Sequence, residues 1–327
     1  MRPPGFWWSV PPALPARLLA PLGRLYGRRV ARRMARPGAE APLPVICVGN
    51  VGLGGAGKTP TALAVAGLLR EVGRSPAFLS RGYGGQLRGP VRVDPARHAA
   101  ADVGDEPLLL ARAAPTIVAR DRVAGAALCA AGGAGVIVMD DGLQNPSLRK
   151  SWSVAVFDAA VGIGNGLPFP AGPLRASLAE HWPFIDAVLI IGAGAAGERV
   201  AAEAARHGRP VIRGSLRPDP AAAAGLAGQP VLAFAGIGRP EKFFDSLRAI
   251  GADLRATRAF PDHHAYGAAD LAALERDAAR AGLRLVTTEK DRVRLPAGAP
   301  VAVLPVSLRL ADADAVVLRA RLAALFP

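Results

Sequence analysis

From residue 44 onwards, short uninterrupted runs of apolar residues alternate with longer stretches of helical character. The first set of apolar runs covers residues 45–49, 77–80, 116–119, 136–139, 154–157, 187–191 and 210–212. Runs of this length without polar alternation are typical of parallel strands that are covered on both faces. Helical stretches such as 61–72 and 124–131 supply the connections. The pattern predicts an α/β fold with a mostly parallel sheet and helices on both faces.

The pattern restarts after an Ala/Gly-rich stretch at residues 221–228. Apolar runs at 231–235, 283–287 and 301–306, followed by a closing helix at 311–325, predict a second, smaller α/β unit. A chain of 327 residues is also longer than one small core needs. We therefore predict an N-terminal segment at 1–40, a larger domain at 41–225 and a smaller C-terminal α/β domain at 226–327.

The N-terminal segment differs from the rest of the chain in charge. Residues 1–36 contain no acid, in a protein of net charge +14, and their arginines are Arg2, Arg17, Arg24, Arg28, Arg29, Arg32, Arg33 and Arg36. Leu14, Leu18, Leu22 and Leu25 recur at helical spacing among them. This pattern predicts an amphipathic segment at an anionic membrane surface. One alternative is a helix packed on its own domain with its arginines in water. A nucleic-acid arm is a third interpretation, but no recognised binding motif accompanies it.

The cysteine content and the apolar runs indicate where the protein works. Cys47 and Cys129 lie in a predicted buried strand and a predicted helix, which excludes a disulfide framework or a cysteine-based zinc site and indicates a reducing compartment. Every uninterrupted apolar run is shorter than the roughly 18–20 residues that span a bilayer. No segment resembles a signal peptide. We expect a peripheral protein on the cytosolic side.

The strongest local motif is Gly52-Leu-Gly-Gly-Ala-Gly-Lys-Thr59, which follows a predicted strand and opens a predicted helix. Glycines let backbone N–H groups turn inward around phosphate oxygens, and the helix N-terminus adds positive potential. Lys58 is expected to reach the β- and γ-phosphates, and the Thr59 hydroxyl to bind Mg²⁺. The alternative is a glycine turn with a lone surface lysine. The predicted nucleotide-phosphate site is lined by Gly52, Leu53, Gly54, Gly55, Ala56, Gly57, Lys58 and Thr59.

A phosphate loop of this kind needs a further carboxylate to orient its metal ion, normally at the end of a hydrophobic strand. Asp140 and Asp141 directly follow the most apolar run of the chain, on the edge where α/β sheets place ligands. Alone, the Asp-Gly sequence at 141–142 would equally indicate a turn. Beside an intact phosphate loop, we predict that Asp140 and Asp141 share Mg²⁺ with Thr59.

Several further strings complete a pattern that is specific to one family. Together with Val48-Gly-Asn-Val-Gly-Leu-Gly-Gly-Ala-Gly-Lys-Thr-Pro60 they are Ser80-Arg-Gly-Tyr-Gly-Gly85, Gly104-Asp-Glu-Pro107, Asp140-Asp-Gly-Leu-Gln144, Gly164-Asn-Gly166, Pro170-Ala-Gly-Pro-Leu-Arg175, Phe234-Ala-Gly-Ile-Gly238, Phe260-Pro-Asp-His263 and Thr287-Thr-Glu-Lys-Asp291. From about residue 10 almost to the C-terminus, the chain resembles the tetraacyldisaccharide 4′-kinases.

The resemblance implies a P-loop NTPase-like kinase domain at 41–225. It also implies a reaction, in which the γ-phosphate of ATP is transferred to the 4′-hydroxyl of tetraacyldisaccharide 1-phosphate. The product is lipid IVA, a precursor of lipid A. The family works at the cytoplasmic face of the bacterial inner membrane, which fits the basic, aromatic N-terminus of this chain.

Two residues gain a catalytic interpretation only from the resemblance. Without it, Asp105 is an ordinary helix N-cap, and His263 and His264 are surface or capping histidines. The family uses the aspartate to help deprotonate the attacking hydroxyl. The resemblance further implies that His263 pairs with Asp105 and tunes it. That pairing would require the two domains to close around the substrate.

Arg175 is a candidate to neutralise charge on the transferring phosphoryl group or on the substrate phosphate, although it could be a solvated arginine at a helix start. Arg81 invites the same interpretation, and Asn165 could simply make a turn. Two positions depart from the family pattern. Ala176 stands where the family usually has glutamate, and Asn145 stands where it has histidine, so any role of those side chains is in doubt here.

Two other classes of protein share parts of this pattern. Membrane-associated ATPases that partition cargo carry a similar glycine loop, but with a lysine just before the paired glycines, where this chain has Leu53. A non-catalytic, nucleotide-gated membrane adaptor would need neither Asp105 nor a sugar-phosphate pocket. The motifs favour the kinase over both.

Overall fold

The structure of the chain, a computed structural model, describes residues 3–326. Its strands are β1 (Val45–Gly49), β2 (Pro76–Ser80), β3 (Val91–Arg92), β4 (Thr116–Val118), β5 (Val136–Asp140), β6 (Trp152–Asp158), β7 (Ala187–Ile191), β8 (Val211–Pro218), β9 (Pro230–Ala235), β10 (Asp253–Ala259), β11 (Arg284–Thr287), β12 (Ala302–Val303) and β13 (Val306–Leu310). Its α-helices are α1 (Leu14–Met34), α2 (Lys58–Glu71), α3 (Ala100–Val103), α4 (Asp105–Ala111), α5 (Arg122–Ala131), α6 (Leu178–His181), α7 (Ala195–Arg206), α8 (Pro220–Ala224), α9 (Pro240–Ala249), α10 (Ala268–Ala281), α11 (Glu289–Arg292) and α12 (Asp312–Ala323).

The larger sheet has nine strands in the described chain, in the order β13-β8-β7-β6-β1-β5-β2-β4-β3. Its neighbouring strands run parallel except for the antiparallel pairs at its two edges, β13 with β8 and β3 with β4. Helices α2 and α12 pack on one face, and α5 and α7 cover the other. Because both faces are covered, the central strands are buried along their length. The predicted fold class is confirmed.

The smaller sheet contains four parallel strands in the order β10-β9-β11-β12. On one face it packs against α9, whose Phe243, Phe244 and Leu247 are buried. On the other face it packs against Leu274 and Ala278 of α10. The smaller α/β unit therefore has a hydrophobic core of its own.

The C-terminal part of the chain follows a different path from the predicted one. The apolar run 301–306 was expected to form one strand of the smaller unit, but it divides between β12 in the smaller sheet and β13 in the larger sheet. The closing helix α12 then packs on α2, with Leu318 and Leu322 in the core of the larger sheet. The sequence pattern also missed β10, an edge strand whose residues are mostly polar and partly exposed. The division of the chain into three parts remains a prediction.

Helix α1 lies on the larger unit through its smallest residues. Ala16, Ala20, Gly23 and Gly27 face inward and are buried. An added Cβ on Gly23 would lie 2.6 Å from the carbonyl oxygen of Pro168, so only glycine permits this close approach. The predicted leucines are on the outside instead, where Leu14, Leu18, Leu22 and Leu25 are 57–71% exposed. Arg2, predicted to belong to the same basic segment, lies outside the described residues.

Two further expectations concern the cysteines and membrane-spanning helices. Cys47 and Cys129 are both free and buried. Across residues 3–326, none of the helices combines the length and the apolar character needed to cross a bilayer.

Candidate active site

The glycine loop connects the carboxyl end of β1 to the first residue of α2, which is Lys58. Gly57 precedes the helix with φ 92°, and an added Cβ there would lie 2.5 Å from Cδ1 of Ile191. A side chain at this position would therefore meet both backbone strain and a clash. By contrast, an added Cβ on Gly54 or Gly55 would meet nothing within 4 Å, although Gly238 of the smaller unit lies near the backbone N of Gly55. The loop and the N-terminus of α2 have the form of a phosphate-binding site.

One side-chain hydrogen bond and one backbone hydrogen bond hold the loop. Asn50 Nδ2 donates a hydrogen bond to the carbonyl oxygen of Gly54 at 3.2 Å, inside the loop. Leu53 N donates to the carbonyl oxygen of Pro173 at 2.8 Å, which ties the loop to the segment that carries Arg175. The predicted loop residues thus lie together, with Thr59 buried at the start of α2.

Asp140 ends β5 in register with Val48 of β1, which brings its side chain to the base of the loop. The side chain is buried, and within the described chain neither of its carboxylate oxygens has a hydrogen-bond partner. Burial and then the neighbouring carboxylates Glu106 and Asp141 raise the pKa of Asp140 to about 8. A buried carboxylate without donors is costly unless a cation offsets it. Asp140 therefore fits a Mg²⁺ site.

Unlike Asp140, the neighbouring Asp141 has cationic partners. It adopts φ 50°, which is unusual for a residue other than glycine. Its carboxylate lies 3.8 Å from Lys58 Nζ and 3.3 Å from Arg175 Nη2. Burial alone would raise the pKa of Asp141, but the charges of Lys58 and Arg175 outweigh it and hold that pKa below its ordinary value.

The metal prediction can be tested against the ligand set that Mg²⁺ prefers. Between residues 3 and 326, no three His, Cys, Asp or Glu side chains converge closely enough to hold a metal ion among themselves. Mg²⁺ commonly takes one or two carboxylates and completes its shell with water and substrate phosphates. Asp140, Asp141 and the Thr59 hydroxyl at the mouth of the phosphate loop fit this mode of binding.

Arg175 lies beside the loop. Its Nε donates a hydrogen bond to the carbonyl oxygen of Gly52 at 3.3 Å, and its backbone N donates to that of Val51 at 2.9 Å. With its Nη2 on Asp141, the guanidinium therefore joins the loop to the acidic pair. It is partly exposed, so it remains accessible to an anionic ligand.

Asp105 is the first residue of α4 and is buried. Gly104, and not Asp105, occupies the N-cap position, so the simple N-cap interpretation is wrong. Asp105 Oδ2 lies 3.1 Å from His263 Nδ1 and 3.0 Å from Arg294 Nε. Burial opposes ionisation, but the hydrogen bond from His263 and the charges of Lys290 and Arg294 hold the pKa of Asp105 well below its usual range.

His263 reaches Asp105 from the smaller unit, in the loop after β10. Its backbone has φ 57°, its N–H donates to the carbonyl oxygen of Gly236 at 3.0 Å, and Tyr83 packs edge-on against its ring at 5.2 Å. The neighbouring His264 instead contacts Asp270 at 3.0 Å. The resemblance implied that this pairing would require the two domains to close around the substrate. In this structure the two side chains are already in contact.

Several charged residues at this junction have no role predicted from the sequence. Arg294 contacts Asp105 and also lies 3.1 Å from Asp291 Oδ1, while Lys290 Nζ lies 2.8 Å from Glu106 Oε1. A signal was present, since Lys290 and Asp291 belong to the string 287–291 that the family shares. The string did not indicate which residues its charged side chains contact, because Asp105 and Glu106 lie more than 180 residues earlier in the chain.

The two departures from the family pattern lie away from these contacts. Ala176 is buried under α1, where an added Cβ on Gly27 would lie 3.5 Å from its Cα. Asn145 Oδ1 accepts a hydrogen bond from Ser147 N at 2.9 Å and so stabilises a turn. Asn165 does more than make a turn, because its Nδ2 donates to the carbonyl oxygens of Ala171 and Phe6. Arg81 is exposed.

The fold and the site together define a P-loop nucleotide-binding protein of the α/β class. A sequence model of the tetraacyldisaccharide-1-P 4′-kinase family matches residues 15–325. The chain is 81% identical to the tetraacyldisaccharide 4′-kinase of Methylobacterium nodulans, over 100% of this chain and 97% of that protein. It is 54% identical to the enzyme of the same name from Nitrobacter winogradskyi, over 98% and 96% of the two chains. The chain belongs to the tetraacyldisaccharide-1-P 4′-kinase family.

Among solved structures, the crystal structure of the apo form of LpxK from Aquifex aeolicus in complex with ATP is similar to this chain, with a TM-score of 0.71. The two are 23% identical, and the match covers 94% of this chain and 99% of that one. This likeness supports the fold. The family, the fold class and the kinase class predicted from the sequence are confirmed, and the cargo ATPase and the adaptor are disfavoured.

Proposed function

We propose that this chain transfers the γ-phosphate of ATP to the 4′-hydroxyl of tetraacyldisaccharide 1-phosphate, giving lipid IVA. One observation carries the proposal beyond family membership. The glycine loop follows β1, whose neighbour β5 ends in the unpartnered carboxylate of Asp140, and Glu106, the residue after Asp105 of the buried Asp105–His263 pair, helps to raise the pKa of Asp140. A nucleotide-binding adaptor would need the loop but not the pair.

The phosphates of ATP would lie in the loop 52–59, against its backbone N–H groups and the N-terminus of α2. Lys58 would contact the β- and γ-phosphates. Thr59, Asp140 and Asp141 would hold Mg²⁺, which would supply positive charge to neutralise charge that develops on the phosphates. Arg175, already beside the loop and Asp141, would stabilise charge on the transferring phosphoryl group. Its planar fork suits phosphate oxygens.

Asp105 would accept the proton of the attacking hydroxyl, supported by His263. The cations around Asp105 keep it ionised at neutral pH, so it is ready to accept a hydrogen bond. Its low pKa makes it a weak base. Phosphoryl transfer demands little of a base, however, because bond breaking to the leaving group runs ahead of bond formation in a loose transition state. The main task of the pair is then to orient the hydroxyl.

The exposed leucines of α1 and the arginines around them would bind the cytoplasmic face of the inner membrane as a peripheral surface. Leu14, Leu18, Leu22 and Leu25 form a stripe that no other part of the described chain covers. Apolar side chains flanked by arginines suit the interface of an anionic bilayer. This placement would let the acyl chains of the substrate stay partly in the bilayer while the sugar reaches the site.

The test uses γ-labelled ATP, Mg²⁺ and the full chain in detergent, with and without tetraacyldisaccharide 1-phosphate. We expect label in the lipid with the wild type and none above background with Lys58→Ala. ATP hydrolysis that is indifferent to the lipid would overturn the proposal and return the chain to an ATPase.

A further inference from the structure

Arg294 follows α11 in the smaller unit and makes hydrogen bonds with both α/β units. Its Nε donates a hydrogen bond to Asp105 Oδ2 at 3.0 Å, and its Nη2 donates another to the same oxygen. Its Nη1 donates to the carbonyl oxygen of Gly236 at 2.9 Å and to Asp291 Oδ1 at 3.1 Å. The side chains of Arg294 and Asp105 are 5% and 4% exposed. All three guanidinium nitrogens therefore bind inside a buried junction.

The smaller unit fixes Arg294 from behind through Asp291. Asp291 Oδ1 also accepts hydrogen bonds from Tyr266 OH at 2.7 Å and Gly236 N at 2.9 Å. Its Oδ2 accepts one from Thr288 Oγ1 at 2.6 Å. A carboxylate held by this many donors gives the guanidinium a rigid support, so the orientation of the arginine fork is fixed before substrate binds.

As a result, the two carboxylate oxygens of Asp105 accept hydrogen bonds from different donors. Oδ2 accepts from Arg294 and His263, whereas the hydrogen bond to Oδ1 comes from Glu106 N, at 2.9 Å. A carboxylate oxygen has two lone pairs, so Oδ1 keeps one acceptor site for another donor. In the proposed reaction, the hydroxyl of the sugar would donate a hydrogen bond to this free site on Oδ1.

We propose that Arg294 is a positioning residue for the phosphoryl transfer, which turns Oδ1 of Asp105 toward the acceptor hydroxyl. Because Arg294 and Asp105 belong to different α/β units, the proton acceptor is complete only while the two units are in contact. The inference rests on the proposed function of Asp105. Arg294 would act through Asp105, without belonging to the glycine loop and without contacting the substrate itself.

The positive charge of Arg294 and the planar geometry of its guanidinium act separately on Asp105, and substitutions at 294 can distinguish the two effects. The cationic or hydrogen-bonding groups that face Asp105 are His263, Lys290 and Arg294, and the acidic groups around these are Glu106, Asp262 and Asp291. Glutamine at 294 removes one of the charges that hold the pKa of Asp105 down. Lysine retains the charge but lacks the planar fork, so it cannot give Oδ2 two parallel donors.

The experiment measures the pH dependence of lipid phosphorylation by the full chain in detergent, for wild type, R294K, R294Q and R258Q. In R294K we expect kcat to fall about ten- to hundredfold from misplacement, with the acid limb of the profile unmoved. In R294Q we expect a similar fall and an acid limb about 1 pH unit higher or more. R258Q, which removes an arginine from an exposed ion pair with Asp277 in the smaller unit, serves as the matched control, and we expect its profile to match wild type. The KM for ATP should stay within about threefold throughout, since Arg294 is not in the proposed nucleotide site.

Wild-type kcat in R294K and an unmoved acid limb in R294Q would overturn the proposal. If R294Q fails to fold, R294K still decides, because retained kcat would exclude a positioning role. A wild type that does not phosphorylate the lipid would overturn both the function and the role of Arg294. Even then, thermal unfolding would test the pairing of Arg294 with Asp105 independently of the phosphorylation reaction. If the pairing is real, the loss of stability as pH falls from about 4 to about 2 should be smaller in R294Q than in wild type.

Discussion

Asp158 and Arg239 join the two α/β units through a hydrogen bond of 2.6 Å between Arg239 Nη1 and Asp158 Oδ2. Asp158 is buried at the end of β6 in the larger sheet, and Arg239 precedes α9 beside the smaller sheet. Lys242 Nζ contacts the same oxygen. This ion pair lies on the opposite side of β1 from α4 and therefore gives the junction a second attachment besides Asp105.

Asp158→Asn is expected to weaken that attachment. The substitution leaves two cations without their carboxylate, and since both are partly exposed we expect a loss of about 1–3 kcal/mol in the free energy of unfolding. Denaturant unfolding measures it. Glu198→Gln is the matched control, because Glu198 pairs with Arg213 at the surface, where an ion pair contributes about 1 kcal/mol or less. Equal effects of the two substitutions would show that the junction does not depend on Asp158.

Asp140→Asn is expected to stabilise the ligand-free protein while abolishing its activity. The wild-type carboxylate is buried and has no hydrogen-bond partner in the described chain, so a neutral side chain of the same shape relieves a desolvation cost of about 1 kcal/mol or more. Loss of a Mg²⁺ ligand should lower turnover by at least about a hundredfold. Thermal unfolding and the labelled-ATP assay measure the two effects.

Asp141→Asn is the matched control for that experiment. Asp141 already has Lys58 and Arg175 as partners, so its neutral variant loses favourable ion pairs and should not gain stability. If both variants were stabilised equally, the unpartnered state of Asp140 would not explain the gain.

Asp105→Asn is expected to separate nucleotide binding from turnover. The side-chain hydrogen bonds of Asp105 are with His263, Arg294 and its own helix and not with the glycine loop, so ATP binding by calorimetry should be retained. Loss of the proton acceptor should lower kcat by about 10²- to 10⁴-fold. Unchanged turnover would make Asp105 a structural residue of the junction.

The same substitution should change how stability depends on acid. The folded-state pKa of Asp105 lies below its ordinary value of 3.8, so its contribution is present above about pH 4 and is lost as pH falls through the folded-state value. Asp105→Asn removes that contribution at every pH. The difference in free energy of unfolding between wild type and variant should therefore shrink between about pH 4 and pH 2, and a constant difference would contradict the pKa shift.

The local parts of this site could be predicted from the sequence because their residues are close together in the chain. The glycine loop follows β1 directly, and Asp140 ends the apolar run that forms β5. Parallel strands buried on both faces leave a clear apolar pattern. An edge strand such as β10 does not, since one of its sides faces water and carries Arg255 and Arg258.

The contacts between the units could not be predicted in this way. Arg294 and Asp105 are 189 residues apart, and nothing in either local sequence specifies the other. The return of β13 to the larger sheet is a similar case, because its apolar run would suit either sheet. Only the packing of the two units against each other decides which charged residues become partners.

Substitution of Leu18 and Leu22 by glutamine tests the proposed membrane surface. Deleting residues 1–36 is a less selective test, because Phe6 and Trp7 accept hydrogen bonds from Asn165 and α1 packs on the segment that leads to Arg175. The two leucines are 71% and 57% exposed, so their replacement should leave stability and ATP binding within error of wild type. Binding to vesicles that contain anionic lipid should fall by about tenfold or more, since each leucine loses about 1.5 kcal/mol or more of burial in the bilayer.

Val316→Gln on α12, also an exposed apolar position, is the matched control and should bind as wild type does. Equal vesicle binding by all three proteins would mean that the leucine stripe does not contact the membrane.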